Sequence, residues 1–292
     1  MFNLLRSDLY RLVHGRKFWV VTAIIVLLTA GLLTILISLG AVTGSTQLGA
    51  DGTTVTTNTA AGLSASAREV DSHSALLAAS GLGSPNSSVL PMLVSILAVL
   101  AIMDDWDAGF IKNLAVGRRD RTPYLAERLL LAALLAVWNA AVTISSLELT
   151  CLAMGVRFRH AESLGVYLGY CGLNVLGTIA FVLIVVALTM TARSKALGIA
   201  ASVVVGTGML GSLLTVALSI MAMHIPWLMH VVFWLPSYNT KLYTDSIGLF
   251  ATTANGVALG MPAWAHALIC YVGWIVLASG ATLLVNSRRD VC

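Results

Sequence analysis

Long apolar runs alternate with short polar segments along this chain, and the alternation divides it into spans and connections. Runs at 18–39, 85–103, 124–154, 163–191, 196–223 and 263–285 approach or exceed the roughly 20 residues that a helix needs to cross a hydrocarbon core. The pattern predicts an all-α integral membrane protein with six transmembrane helices. Ahead of them, residues 1–17 read as an amphipathic helix: Phe2, Leu5, Leu9, Leu12 and Val13 recur on one face, while Asn3, Ser7, Arg11 and His14 occupy the other. Such a helix lies in the membrane interface. A secretory signal would have a shorter apolar core followed by a small-residue cleavage site, so 18–39 is read as an uncleaved first span.

The polar segments differ in kind. Residues 40–84 are rich in Gly, Ser, Thr and Ala and read as a solvent loop with a short helix around 65–79. Residues 224–262 mix Trp227, Trp234, Tyr238 and Tyr243 with prolines and polar residues, which suits interfacial or re-entrant pieces. Between the second and third spans, residues 104–123 form a dense charged insert that must lie in water. Only residues 192–195 separate the fourth span from the fifth.

Composition agrees with this class. A hydrophobic fraction of 58% and a mean hydropathy of +0.89 exceed what soluble domains show. The net charge of +4 does not point to nucleic acid, because the basic residues sit at span ends and not on one face of a soluble module. With the N-terminus inside, four of the 17 lysines and arginines fall on outer segments (Arg68, Arg157, Arg159 and Lys241) and the rest on inner ones. Both termini are therefore expected on the cytoplasmic side. Cys151, Cys171, Cys270 and Cys292 lack metal or redox spacing and read as small buried residues.

Nothing in the chain supplies enzyme chemistry. No Gly-Lys-Ser or Gly-Lys-Thr phosphate loop, His-Glu-x-x-His or Gly-x-Ser-x-Gly occurs, and His224, His230 and His266 lack metal-ligand spacing with carboxylates. Gly206, Gly208 and Gly211 spell a dinucleotide fingerprint, but inside an apolar run with no preceding soluble strand. They read instead as sites of close helix approach or bending, as do Gly165, Gly169 and Gly172.

Two short motifs carry a resemblance. The opening Leu4-Leu5-Arg6-Ser7-Asp8-Leu9-Tyr10-Arg11-Leu12 resembles the start of ABC transporter permeases of the type-2, exporter-like family. The segment Asp105-Trp106-Asp107-Ala108-Gly109-Phe110-Ile111-Lys112-Asn113-Leu114 is similar to that family's cytoplasmic motif, and the likeness runs on through Gly117, Arg118 and Arg119 to Tyr124. Phe110 stands where the family has Thr. Within the family, the subgroup for antibiotic and lantibiotic-type peptide export or immunity is the nearest. The resemblance implies a bacterial plasma-membrane protein that binds no cofactor itself. It also implies two separate ATPase subunits carrying Mg-ATP and a second permease subunit, identical or related. In this reading 104–123 is a coupling helix. Asp104, Asp105 and Asp107 put negative charge at a helix start, where the dipole favours it, and Lys112, Arg118 and Arg119 follow at the other end. Phe110, Ile111 and Leu114, with Gly109 beside them, offer a small apolar face to the ATPase. The plainer reading is a solvated loop whose charges fix topology.

Glu148 and Trp138 are candidates for a translocation path. An intramembrane carboxylate is costly and is read first as functional. Yet Glu148 lies 24 positions beyond Tyr124, far enough to have reached the outer headgroups, where Arg157, Arg159 or Lys241 would screen it. Trp138 serves either packing or substrate stacking. The rivals to an ATP-driven exporter of hydrophobic or amphipathic cargo are an ion-coupled transporter using Glu148 and a non-transporting anchor or sensor.

Overall fold

The computed structural model describes residues 2–39, 46–48, 54–56, 69–70, 73, 77, 89–107, 122–158, 162–244 and 261–288. Helices follow the apolar runs. They are α1 (Phe2–Val13), α2 (Arg16–Leu39), α3 (Val89–Asp107), α4 (Thr122–Met154), α5 (Leu164–Ala192), α6 (Lys195–Gly206), α7 (Met209–Ala222), α8 (Leu228–Phe233), α9 (Pro236–Thr244) and α10 (Ala263–Arg288). Two minimal pairings accompany them: β1 (Thr46–Leu48) antiparallel to β2 (Thr54–Thr56), and β3 (Glu69–Val70) parallel to β4 (Arg157–Phe158). The second ties the 40–84 segment to the connection between α4 and α5.

Four helices, α2, α4, α5 and α10, are long and apolar enough to cross a membrane; α6 and α7 make a fifth if taken as one broken span. The apolar part of α3, Val89–Asp104, is shorter. Large apolar side chains stand exposed along α2, α7 and α10, including Leu27, Ile35, Leu213, Ile220 and Val276. A continuous apolar exterior of this extent is compatible with a membrane-embedded protein.

Helix α5 forms the centre, packing on α3, α4, α6, α9 and α10. One cluster joins Phe18 and Ile25 of α2 to Val94 and Leu97 of α3, Leu129 of α4 and Val186 of α5. A second, at the opposite end of α5, gathers Leu33, Leu147, Tyr170, Ala267 and Tyr271 around Leu77 from the 40–84 segment. That segment is therefore not solvent loop throughout. Of the helix expected at 65–79, His73 and Leu77 are described and helical. Buried polar side chains on the central helices bond to their own backbone one turn back: Asn139 to Leu135, Thr143 to Asn139, Asn174 to Tyr170 and Thr178 to Asn174. Polar groups can be buried in this way without a partner helix. Cys151, Cys171 and Cys270 are buried free thiols.

The expected fifth span at 196–223 is not one straight helix. It breaks between α6 and α7 with a bend of 58°. Thr207 donates its hydroxyl back to the Val203 carbonyl, and Gly208 takes φ 73°, a left-handed conformation that ends a helix at little cost to glycine. Apolar residues flank the break on both sides, so hydropathy hides it. Gly206 serves a different purpose: a Cβ there would lie 2.6 Å from the Cα of Met92, and one on Gly198 would meet Thr189 and Val99 at 2.7 Å. With buried Ser202 between them, these small residues let α6 lie directly on α3. Gly165 and Gly172 face open space, so the close approach expected at those two positions does not occur.

Candidate functional site

The two ends of the bundle carry different chemistry. At one end, α1, the start of α2, the end of α3, the start of α4 and the α5–α6 turn converge in a charged collar. Asp104, at the end of α3, accepts from Lys17 of α2 and, at 2.9 Å, from Lys195 of α6. Partial burial alone would raise its carboxyl pKa, but hydrogen bonds and charge from the two lysines outweigh that and hold it below its ordinary 3.8. One turn of the collar grips α3 twice. Arg193, the left-handed cap of α5 at φ 52°, sets its guanidinium over the Trp106 ring at 5.4 Å, two residues before Lys195 reaches Asp104. A non-glycine left-handed residue is uncommon, and here it aims the cation at the ring.

Deeper in the collar, Arg128 of α4 is 2% exposed and pairs with Asp8 of α1 at 2.9 Å. Its guanidinium also lies 4.8 Å from the centre of the Tyr124 ring and 3.5 Å from buried Glu127. The pair fixes the amphipathic helix onto the bundle. Asp8 stands three positions after Leu5 and four before Leu12, on the apolar face. That position was the available signal that this carboxylate turns inward.

At the other end, Glu148 of α4 accepts from the Tyr167 hydroxyl of α5 at 2.6 Å and from His73 Nδ1 at 3.1 Å. The His73 ring stacks on Phe158 with centroids 3.6 Å apart. Of the cations expected to screen Glu148, Arg159 and the Lys241 side chain lie outside the described residues, and its hydrogen bonds among the described residues run to the Tyr167 phenol and the His73 ring. Beside it, α8, α9 and α10 are joined by neutral hydrogen bonds. Asn239 donates to the Phe233 and Leu235 carbonyls and accepts from His266 Nδ1 at 2.6 Å. Cys270 and Trp274 both donate to the Trp234 carbonyl. Thr240 spends its own proton on the Pro236 carbonyl, so Tyr271 donates to it at 2.8 Å.

The structure thus places Asp104 in the collar and Glu148 at the opposite end. Trp138 faces neither: it is 47% exposed, with its ring 6.0 Å from Phe18 on the α2 side of α4. Gly109, Phe110, Ile111, Lys112, Leu114, Arg118 and Arg119, and the side chains of Asp105 and Asp107, lie outside the described residues. Sequence reading passed over Asp8, Lys17, Glu127, Arg128, Arg193 and Lys195 as site residues. Among the described residues no three His, Cys, Asp or Glu side chains are grouped to hold a metal ion. No protein-family model matches the chain, and no curated protein matches it.

Proposed function

We propose that this chain is the membrane permease subunit of an ATP-driven exporter, with six crossings of a bacterial plasma membrane, the collar on the cytoplasmic side and 104–123 as the coupling segment. Two ATPase subunits dock on that segment, and a second permease, identical or related, completes the path. Closure of the ATPases on Mg-ATP moves the segment, and the spans rotate to alternate access for hydrophobic or amphipathic cargo such as a drug, peptide or lipid. The observation that supports this reading best is the seating of Asp104. The first residue of the motif-bearing insert is bonded to the start of α2 and the start of α6, so the insert is linked directly to three helices at once. The basic residues of the collar also suit the cytoplasmic side.

The test is a mild-detergent pull-down of the tagged chain from native membranes, followed by an ATPase assay with and without the double change Asp107→Ala, Gly109→Pro. A co-purifying ATPase that is lost or uncoupled in the double variant supports the proposal. Recovery of the chain alone, still moving cargo on an ion gradient, sinks it.

A second reading, an ion-coupled transporter, rests on Glu148. It is hydrogen-bonded to Tyr167 and His73 and one-third exposed. Against this, Glu148 lies about 36 Å along α4 from Tyr124 at 1.5 Å per residue, farther than a hydrocarbon core of about 30 Å. Loss of gradient-driven transport in Glu148→Gln, in a chain recovered without an ATPase, favours the second reading.

A further inference from the structure

Helix α6 is seated along its whole length, and α7 is not. With the turn before it, α6 meets α3 at Arg193 over the Trp106 ring, Lys195 on Asp104, Gly198 against Val99 and Gly206 against Met92. The numbers on the two helices run in opposite directions in step, as in a straight antiparallel pair, so α6 moves with α3. Beyond Gly208 the seating changes. Helix α7 buries no side chain; it packs on α8 and α9, and its Thr215 Oγ1 lies 3.1 Å from Ser237 Oγ of α9.

A single residue separates the seated helix from the loose one. Helices α5 and α6 begin at serine caps, Ser163 and Ser194, whose hydroxyls accept a backbone N–H from the first turn, whereas α7 begins at Gly208 with no side-chain cap. Thr207 is right-handed at φ −77° and Met209 is already helical. Gly208, at φ 73° and ψ 4°, is the one left-handed residue between them. Returned to the right-handed region, which glycine enters as readily, it would join Lys195 to Ala222 in one continuous helix. The first amides of α7 would then gain the carbonyl partners that a helix start lacks, a gain that counts most where lipid supplies none. The bent form is held instead from its far side, where α9 is docked on α10 through the Asn239–His266 and Thr240–Tyr271 bonds.

We infer that Gly208 is a two-state joint: left-handed, it breaks the span, and right-handed, it makes the span continuous, with the α3–α6 pair and α7 turning about it as two bodies. The joint goes beyond the proposed function, and no ATPase enters its test.

Spin labels at Leu197→Cys on α6 and Met221→Cys on α7, both about half exposed, read the bend by double electron–electron resonance in the full-length chain carrying Cys292→Ser; Cys151, Cys171 and Cys270 are buried. Straightening the 58° bend lengthens the separation by about 4 Å, from a rise of roughly 1.5 Å per residue. The parent should show the shorter distance as its main population. Gly208→Ala, whose Cβ disfavours the left-handed form, should move the ratio roughly tenfold toward the longer distance. Gly208→Asn, a residue that tolerates that form, should keep the parent distribution. Thr215→Val removes the hydroxyl beside Ser237 and should shift the parent in the same direction as alanine, by less. An alanine variant with the parent distribution overturns the joint, as does an equal shift in the alanine and asparagine variants. If Gly208→Ala yields no folded chain, Thr215→Val decides alone: a larger long-distance population supports the joint, and an unchanged one overturns it.

Discussion

The two ends of the bundle solve the same problem, holding helix ends together, with opposite means. The collar uses permanent charges: Asp8 with Arg128, Asp104 with Lys17 and Lys195, Arg193 over Trp106. The far end uses hydrogen bonds among Asn239, His266, Thr240, Tyr271 and the Trp234 carbonyl, beside Glu148 held by Tyr167 and His73. Permanent charge is expensive to carry across a bilayer, so the collar resists being drawn through. Neutral hydrogen bonds can form and break at lower cost. The comparison teaches that one end is tied by ion pairs and the other by buried hydrogen bonds.

The comparison is broken most severely at Arg128. Replacing it with Met leaves Asp8 buried without its cation and should cost about 3–5 kcal/mol, read as a large fall in thermal stability of the purified protein and as release of α1 to proteolysis. A milder loss is expected from Gly206→Val, whose side chain would meet the Met92 backbone; overpacking of this kind costs about 1–3 kcal/mol, and hydrogen exchange should rise in α3 and α6 before α10. At the neutral end, Asn239→Ala removes the acceptor of His266 and a donor to two carbonyls. An unsatisfied buried group costs about 1–3 kcal/mol, and the loss should appear as faster exchange confined to α8, α9 and the start of α10.

The smallest effect sharpens the contrast by pH. Because the Asp104 carboxyl titrates below its ordinary 3.8 in the folded chain, its contribution is fully present above that value and disappears as pH falls through the lowered one. Asp104→Asn should therefore lower stability by no more than about 1 kcal/mol at neutral pH, as for half-exposed ion pairs. The parent and variant melting curves should converge below pH 3.8. A gap that persists in acid would show that the side chain acts through packing and not charge.

The helices were legible because a run of twenty apolar residues has few other outcomes. What hydropathy could not carry was anything decided by a partner distant in sequence. The break at Thr207 and Gly208 lies between two equally apolar stretches, and glycine alone does not distinguish Gly206, pressed on Met92, from Gly172, facing open space. The candidate site was legible only as local motif. Asp104 stood out as the edge of a charged insert, but its two lysines lie 87 and 91 positions away. The partner of Glu148, His73, comes from 75 positions upstream, out of a segment whose composition signals solvent. Asp8 on an apolar helical face was the exception, a buried pair with a local signature.

The double grip on Asp104 also has a consequence in time. Lys17 is already made when Asp104 leaves the ribosome, but Lys195 follows 91 residues later, on the order of ten seconds at ordinary rates of synthesis. During that interval the end of α3 is held from one side only. The clamp can close only once α5 and the start of α6 have been made, so its completion marks a chain whose central helix has been synthesised.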